Sequence, residues 1–533
     1  MSFAKKIINT FEKIKQIGKQ SIAKLSGQTS QSKSSTHRQM KIIKSRSSHV
    51  CADFFQTETG NDWMIRLILA ALFIFGIKFN IGAATLAIFF SLINLDLYVG
   101  LSAASINRLE AHIRELLKRY EEGLMPTLDK LASEKDLLGG ADETFFEQLM
   151  VIVFMDLPSG FLFNEKIAKD RTFSTWEKET RGSINKFRNF LCLVSDRAKA
   201  LLRLSDHHCC AGVADLFHFL MSPVRAFKFS FARKLKTLAK EEKQIKADFS
   251  DAQLPSDIHE LNEKLEHIND KRAVIKQGQS VFRHELQSIS TVVHPFDLQL
   301  QQQTSMHITA RLNGSVAAIR RAIMCCGITD TKNALGKMER QIASVAALTD
   351  AWWNWADAYL NSISISDELK KAVKQYLLPV MYFKIQSKKS KSKKRLRETY
   401  KTAYQEAELK LMSHHLAKEL IELPLMEWAK QICHKYQRTT SPIEGRNGLL
   451  AGFNLNARGM TIEQLQSQTI IHNYWNKRED GTTAVERCFN FKPNLDPFEF
   501  IVERMKGYIF PVPRQRWKKK SRSLFQETML AAA

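Results

Sequence analysis

Gly139-Gly140-Ala141-Asp142-Glu143-Thr144-Phe145-Phe146 runs almost directly into Leu149-Met150-Val151-Ile152-Val153-Phe154-Met155. Asp156-Leu157-Pro158-Ser159-Gly160 then gives a turn signal, and Phe161-Leu162-Phe163 follows. Apolar runs of this length, bounded by Gly, Pro and Asp, predict three short antiparallel strands within residues 138–168, with Asp142 on the first. Downstream, Thr172 is a candidate cap for a helix running to Phe187. Phe190-Leu191-Cys192-Leu193-Val194 reads as a buried strand with Ser195-Asp196 at its C-terminal end. Arg197 to Leu204 predicts a short helix, and Cys209 to Val213 a fifth strand. The order is β-β-β-α-β-α-β, a small mixed sheet with one acid on its first strand and another at the end of its fourth.

Such a sheet needs a helix over its remaining apolar face. Ser441-Pro442-Ile443-Glu444-Gly445-Arg446-Asn447-Gly448-Leu449-Leu450 offers one. Ser441 is a candidate cap, and Pro442 suits a first turn, where its missing N–H was unsatisfied anyway. Glu444 and Asn447, three apart, share a helix face. A carboxylate and a carboxamide so placed can hold a metal ion, or simply decorate a surface helix. Ile443, Leu449 and Leu450 are the residues expected to pack.

The 533 residues suffice for about three or four domains. With 79 Lys+Arg against 55 Asp+Glu, the chain carries a formal charge of +24. That balance points to a polyanionic partner, nucleic acid or an anionic membrane surface. The eight cysteines form no C-x-x-C pair, and no secretory signal pattern precedes them, as expected for a reduced intracellular compartment. His207-His208-Cys209-Cys210 suggests zinc but lacks finger spacing, since four consecutive side chains cannot all face one ion.

Residues 1–60 read as a basic flexible arm, with a basic amphipathic helix from Phe3 to Leu25. Residues 61–134 read as a helical domain. The apolar runs Leu67–Ile77 and Ile81–Leu95 are separated by Lys78, and each is shorter than a membrane span, so no membrane is expected. Gly100 to Arg108 reads as a turn, a Ser cap and the opening of a second helix, as in a helix-turn-helix. Ser102, Ser105, Asn107 and Arg108 would then face a DNA groove; a plain helical hairpin is the alternative.

Residues 226–440 are nearly all helix-forming, with a break near Pro255 and no strand pattern. Trp352, Trp353 and Trp355 can pack in that block or stack on an unpaired base. The basic run Lys388 to Arg397 reads as a phosphate-contacting loop through Lys391, Lys393, Lys394 and Arg395. Residues 511–533 form a basic C-terminal tail.

Four segments, Ala141-Asp142-Glu143-Thr144-Phe145-Phe146, Val194-Ser195-Asp196, Ala214-Asp215-Leu216-Phe217-His218 and Ser441 to Leu450, resemble bacterial insertion-sequence transposases of the DDE type. His472-Asn473-Tyr474-Trp475-Asn476 and Asp480 to Arg487 are similar to the segment that follows the catalytic glutamate in that superfamily. The resemblance covers residues 135–225 and 435–515. It implies an α/β ribonuclease-H-like core in two parts, 135–225 and 441–510, interrupted by an all-α insertion at 226–440. It further implies Asp142, Asp196 and Glu444 as catalytic ligands of two Mg²⁺ or Mn²⁺ ions, with Asp142 bridging. His218, Arg446 and Asn447 would be auxiliary. The implied reaction is cleavage at transposon ends and strand transfer by a DNA 3′-hydroxyl. The implied partner is double-stranded DNA, bound by a homodimer or higher oligomer in the bacterial cytoplasm, at the nucleoid. Two other readings remain at this point: a catalytically inactive DNA-binding derivative, and a membrane-associated basic helical protein. The catalytic reading requires the three carboxylates within roughly 8 Å of one another, to hold two ions about 3.5–4 Å apart.

Overall fold

The structure, a computed structural model, describes residues 57–146, 149–251, 254–390, 394–457 and 459–506, with scattered positions before 57 and at 508 and 510. Most of the basic N-terminal arm, the C-terminal tail, and Lys391 and Lys393 lie outside the described residues. The chain divides into two compact units: 1–128 with 449–486 and 490–533, and 129–448 with 487–489.

In the first unit, α1 (Glu58–Ala71) continues through a π-helical stretch to Lys78. This 21-residue helix is long and apolar enough to cross a membrane by length and composition, with half of its apolar window buried inside the protein. The run Leu67–Ile77 alone is too short; the helix gains its length from the residues before it. Next come α2 (Ala83–Leu92), a 3₁₀ turn at Leu95–Leu97 and α3 (Ala103–Ala132). The link from α2 to α3 is longer than the three or four residues of a helix-turn-helix turn. Ser105 is buried and its amide bonds the Ser102 hydroxyl (3.3 Å), so it stabilises the start of α3 and does not face a groove. Ser102, Asn107 and Arg108 are exposed.

The second unit contains the sheet: β1 (Asp136–Phe146), β2 (Leu149–Asp156), β3 (Phe161–Ala168), β4 (Asn189–Ser195) and β5 (Ala211–Ala214). Its spatial order is β3-β2-β1-β4-β5. The first three strands pair antiparallel, while β4 joins β1, and β5 joins β4, in parallel. Parallel neighbours require crossovers. These are α4 (Phe173–Ile184), capped by Thr172, and α5 (Lys199–His207). Trp176, Ile184, Leu201 and Leu204 from these helices close one face of the sheet over Leu137, Ala141, Ile152, Phe154 and Leu193.

The predicted block follows as helices: α6 (Leu216–Asp251), α7 (Pro255–Val292), α8 (Ser305–Cys325), α9 (Ala334–Ser362), α10 (Leu378–Lys389), α11 (Lys394–Met412) and α12 (Leu423–His434), with shorter turns between. It is not the separate body that its length suggests, because it shares one unit with the sheet. The reason lies at β5, an edge strand whose outer backbone groups need partners. Ser344 on α9 supplies them: its hydroxyl donates to the Gly212 carbonyl (3.0 Å) and accepts from the Ala214 amide (3.1 Å). Ala214 and Leu216 belong to the same apolar cluster as Ile342, Val345 and Ala346. Trp352 is fully buried and donates to the Ile432 carbonyl (2.8 Å), so it is a core residue and not a base-stacking platform. The basic run at 388–397 is not a loop throughout: Lys388 and Lys389 end α10, and Lys394 and Arg395 begin α11 with exposed side chains.

The chain returns to the sheet in α13 (Ser441–Ala457). Ser441 is already helical; the carbonyl of Thr440 accepts from the Ile443 and Glu444 amides, so the helix starts one residue earlier than the Ser cap predicts. Ile443 is fully buried, but Leu449 is 63% exposed and does not help cover the sheet. Apart from Arg487–Phe489, which stay with the sheet unit, residues from Leu449 onward that the sequence assigns to the second catalytic part group with the N-terminal helices. There α14 (Ile462–Tyr474) is held by Gln468 Nε2, which donates to the Ile77 carbonyl (2.6 Å). Two short helices, α15 (Ala484–Phe489) and α16 (Pro497–Arg504), follow.

Gly140 permits the close approach of α13 to β1. A Cβ there would lie 2.5 Å from Leu157 Cδ2 and 3.1 Å from Ile443 Cδ1. Gly140→Ala is therefore expected to destabilise the fold by about 1–3 kcal/mol, the usual cost of overpacking. Urea unfolding of the two proteins measures this; an unchanged midpoint would show that α13 does not press on β1.

Candidate active site

Strand register explains how the acids come together. Gly140 pairs with Val194 across β1 and β4, so Asp142 and Asp196, each two residues further on, reach the same level of adjacent parallel strands. Ser195 pairs with Ala214 across β4 and β5, which brings Asp215 to that level too. Neighbouring strands lie about 4.8 Å apart. Three aspartates thus form a row, Asp142 within β1 and Asp196 and Asp215 just past the carboxyl ends of β4 and β5. Alternation places Asp142 on the same face as Gly140, the face that meets Ile443 of α13.

Glu444, one residue after Ile443, completes the approach. Ligand atoms of Asp142, His218 and Glu444 all lie within 4.8 Å of one another. Asp142 and Glu444 therefore share one site, as the sequence predicts. Asp196 does not belong to that tight trio; its carboxylate accepts from the Ala198 amide (2.8 Å), and its charge acts on both Asp142 and His218. The third member of the trio is His218, which sequence reasoning ranked as auxiliary. Its signal was available: the Asp215/His218 spacing of three at a helix start puts the ring on the face of the aspartate.

Asp215 fixes that ring. Its Oδ2 is 2.6 Å from His218 Nδ1 and accepts from the Thr440 hydroxyl (2.8 Å). Its Oδ1 accepts from the Phe217 amide (2.9 Å) and the Thr440 amide (3.2 Å). With Nδ1–H given to Asp215, Nε2 turns to Glu444, 3.8 Å from its Oε1. A carboxylate behind an imidazole is the arrangement that orients histidine ligands and raises their basicity.

Burial pushes the Asp142 carboxyl up to about 7; His218 opposes this, and the charges of Glu444, Glu143 and Asp196 add to it. The hydrogen bond to Asp215 raises His218 to about 8 against the effect of burial, helped by the charges of Asp215, Asp142 and Asp196. Two carboxylates this close ionise together only at a cost, so they retain a proton or take up a cation. Carboxylate oxygens suit Mg²⁺ or Mn²⁺, and the added imidazole nitrogen suits Mn²⁺ better than Mg²⁺. The donor set therefore fits a divalent cation.

Two residues expected near the site, Arg446 and Asn447, are both buried. Arg446 does not point to a substrate phosphate: it forms a two-pronged ion pair with Glu165 on β3 (2.7 and 2.6 Å), both side chains buried, and locks α13 to the sheet. Asn447, three residues beyond Glu444, is buried, and its Oδ1 accepts no hydrogen bond among the described residues.

Two outcomes follow. Arg446→Ala strands Glu165 as a buried charge and should cost about 3–5 kcal/mol, whereas Arg446→Met with Glu165→Leu should recover most of it; chemical denaturation of the three proteins tests this, and a double variant as unstable as the single one would count against the pair. The second concerns pH. Asp142, raised to about 7, and His218, raised to about 8, both favour the protonated folded state. Asp142 stabilises fully below about pH 4 and His218 below about 6.5, and the two contributions are lost as pH rises through about 7 and 8 respectively. Chelator-treated protein should thus lose stability between about pH 4 and 8, the Asp142 share between about pH 4 and 7, and Asp142→Asn should shrink that loss. Equal pH slopes in the two proteins would contradict the assignment.

A model of a family of unknown function (DUF6399) matches residues 373–519. The match includes Glu444 and leaves Asp142, Asp196 and His218 outside it. No curated protein and no solved structure matches the chain.

Proposed function

We propose that this protein is a DNA transposase of the DDE type with a ribonuclease-H-like core. In this reading it cuts phosphodiester bonds at the ends of a DNA element with the help of divalent metal, then joins those ends to target DNA. The observation that carries the reading is the meeting of Asp142 and Glu444, which reach one site from opposite sides of the helical block. Further support comes from the β3-β2-β1-β4-β5 order, with one acid within β1 and another at the carboxyl end of β4. The charge of +24 suits a partner whose backbone is a string of phosphates.

Asp142 and Glu444 would hold Mg²⁺ or Mn²⁺, with His218 Nε2 completing the donor set and Asp196 supplying a further carboxylate beside it. Bound metal lowers the pKa of the attacking water and stabilises charge on the leaving oxygen; a pair of ions would do both at once. In the first reaction, water oxygen bonds to phosphorus and the P–O3′ bond breaks, leaving a 3′-hydroxyl and a 5′-phosphate. In the second, that hydroxyl attacks a target phosphodiester in the same way. Asp215 keeps His218 in one tautomer, and Arg446–Glu165 holds Glu444 at its distance from β1. Exposed Lys394, Arg395, Asn107 and Arg108 are available for the DNA backbone.

The test is a supercoiled plasmid carrying the DNA that flanks the gene, incubated with the full chain and Mn²⁺ or Mg²⁺. Wild type should nick it. Asp142→Ala and Glu444→Ala should each lower nicking by at least about a hundredfold while retaining DNA binding by mobility shift. Wild type that binds this DNA but never nicks it would favour the non-catalytic DNA-binding alternative. Nicking unchanged in either variant would remove the site.

A further inference from the structure

The His207-His208 pair, set aside above for want of finger spacing, meets a third ligand that the sequence does not place near it. Glu177 on α4 stands across from the C-terminal end of α5. Ligand atoms of Glu177, His207 and His208 all lie within 4.8 Å of one another. We propose that these three residues form a second metal site, for Zn²⁺, distinct in its residues from the Asp142–His218–Glu444 group.

The geometry is that of a chelate. Zinc ligands sit about 2.0–2.2 Å from the ion in a tetrahedron, which spaces them roughly 3.3 Å from one another. His207 Nε2 is 3.4 Å from Glu177 Oε1, and His208 Nε2 is 2.8 Å from Glu177 Oε2. The two rings stand at 86° with centroids 5.1 Å apart. Two imidazoles on one tetrahedral ion have centroids about 5 Å apart, given those bond lengths. The backbone allows consecutive histidines to converge because α5 ends there: His207 is its last residue, and His208 has left the helix at φ −90° and ψ 8°.

A second observation points to a missing cation. Glu177 Oε1 is buried and accepts no hydrogen bond among the described residues. His207 Nε2 is 3.4 Å away, and the nearest permanent cation is Arg181, whose Nε is 3.8 Å away on a side chain 68% exposed. An anionic oxygen held out of water without a donor is costly, and a divalent ion would relieve it. Phe173 packs edge-on to His207 and Phe190 to His208, giving the apolar surround that metal sites use to exclude solvent. Two imidazoles and one carboxylate suit zinc rather than Mg²⁺ or Ca²⁺. Cys209 and Cys210 lie outside the group: Cys209 is exposed with φ +52°, and burial pushes the Cys210 thiol up to about 12.

Three protein ligands leave a fourth position for water. The site lies behind the sheet helices, without the acids of the strand ends, so its role is to staple. An ion there clamps α4 to the end of α5, immediately before β5, which presents Asp215. Metal binding thereby adds to the stability of the element on which the candidate active site hangs.

The experiment uses the full chain with Asp142→Asn and Glu444→Gln, so that the strand-end site cannot take the ion. After chelator treatment, Zn²⁺ alone is titrated calorimetrically and Co²⁺ is titrated as a visible-absorption probe. One equivalent of each should bind, and adding His207→Gln should weaken Zn²⁺ at least tenfold and abolish the tetrahedral Co²⁺ band. His207 is half exposed, so this change leaves the packing of the fold alone. A second readout is the rise in Tm that Zn²⁺ induces. It should be present in the native chain and reduced by His207→Gln alone, which removes one ligand nitrogen. Zinc affinity and Tm response unaffected by His207→Gln, or no zinc uptake at all, would overturn the proposal.

Discussion

The buried carboxylate of Asp215 is the fastening on which the second unit depends. It sits where the chain leaves the sheet and grips the chain where it comes back. Thr440 donates to it through both amide and hydroxyl, and the neighbouring Leu216 amide donates to the Arg438 carbonyl (3.0 Å). The two ends of the helical block therefore meet at hydrogen-bond distance. Closing so long an insertion costs little more than closing a short one, since loop entropy rises only logarithmically. What the closure needs is a specific joint, and Asp215 supplies it. The same carboxylate orients His218, so the joint and the site are one structure.

Positioning Glu444 takes three further constraints acting together. Thr440 starts α13, Gly140 leaves room for Ile443, and the Arg446–Glu165 pair fixes the helix against β3. A buried ion pair is a weak source of net stability, but it is specific, because sliding the helix would strand both charges. The cost of the arrangement falls on Asp142, which is buried among other acids and favours its protonated form. Stability and the protonation of this site are thus coupled through a single carboxyl group.

The helical block does more than fill the gap between the acids. Ser344 satisfies the outer edge of β5, and the surrounding helices bury Ala214 and Leu216. A four-residue edge strand would otherwise present open backbone groups beside the site. This explains why the block and the sheet form one unit although they differ in sequence texture.

The sheet was legible from the chain alone because its signals are local. Apolar runs, the Asp156–Gly160 turn and the Thr172 cap each act within a few residues, and together they yield the order of strands and helices, with Asp142 on the first strand and Asp196 at the end of the fourth. The convergence of Glu444 on Asp142 could be argued from the need to cover a sheet face, which is also a general constraint. Roles that depend on which distant group stands opposite were not legible. Nothing near Arg446 announces Glu165, nothing near His207 announces Glu177, and Leu449 fits a packing helix by composition yet faces solvent. A local pattern states what a side chain can do, whereas its partner is set by how elements far apart in the chain pack, and tertiary structure alone assigned Arg446 to an ion pair with Glu165.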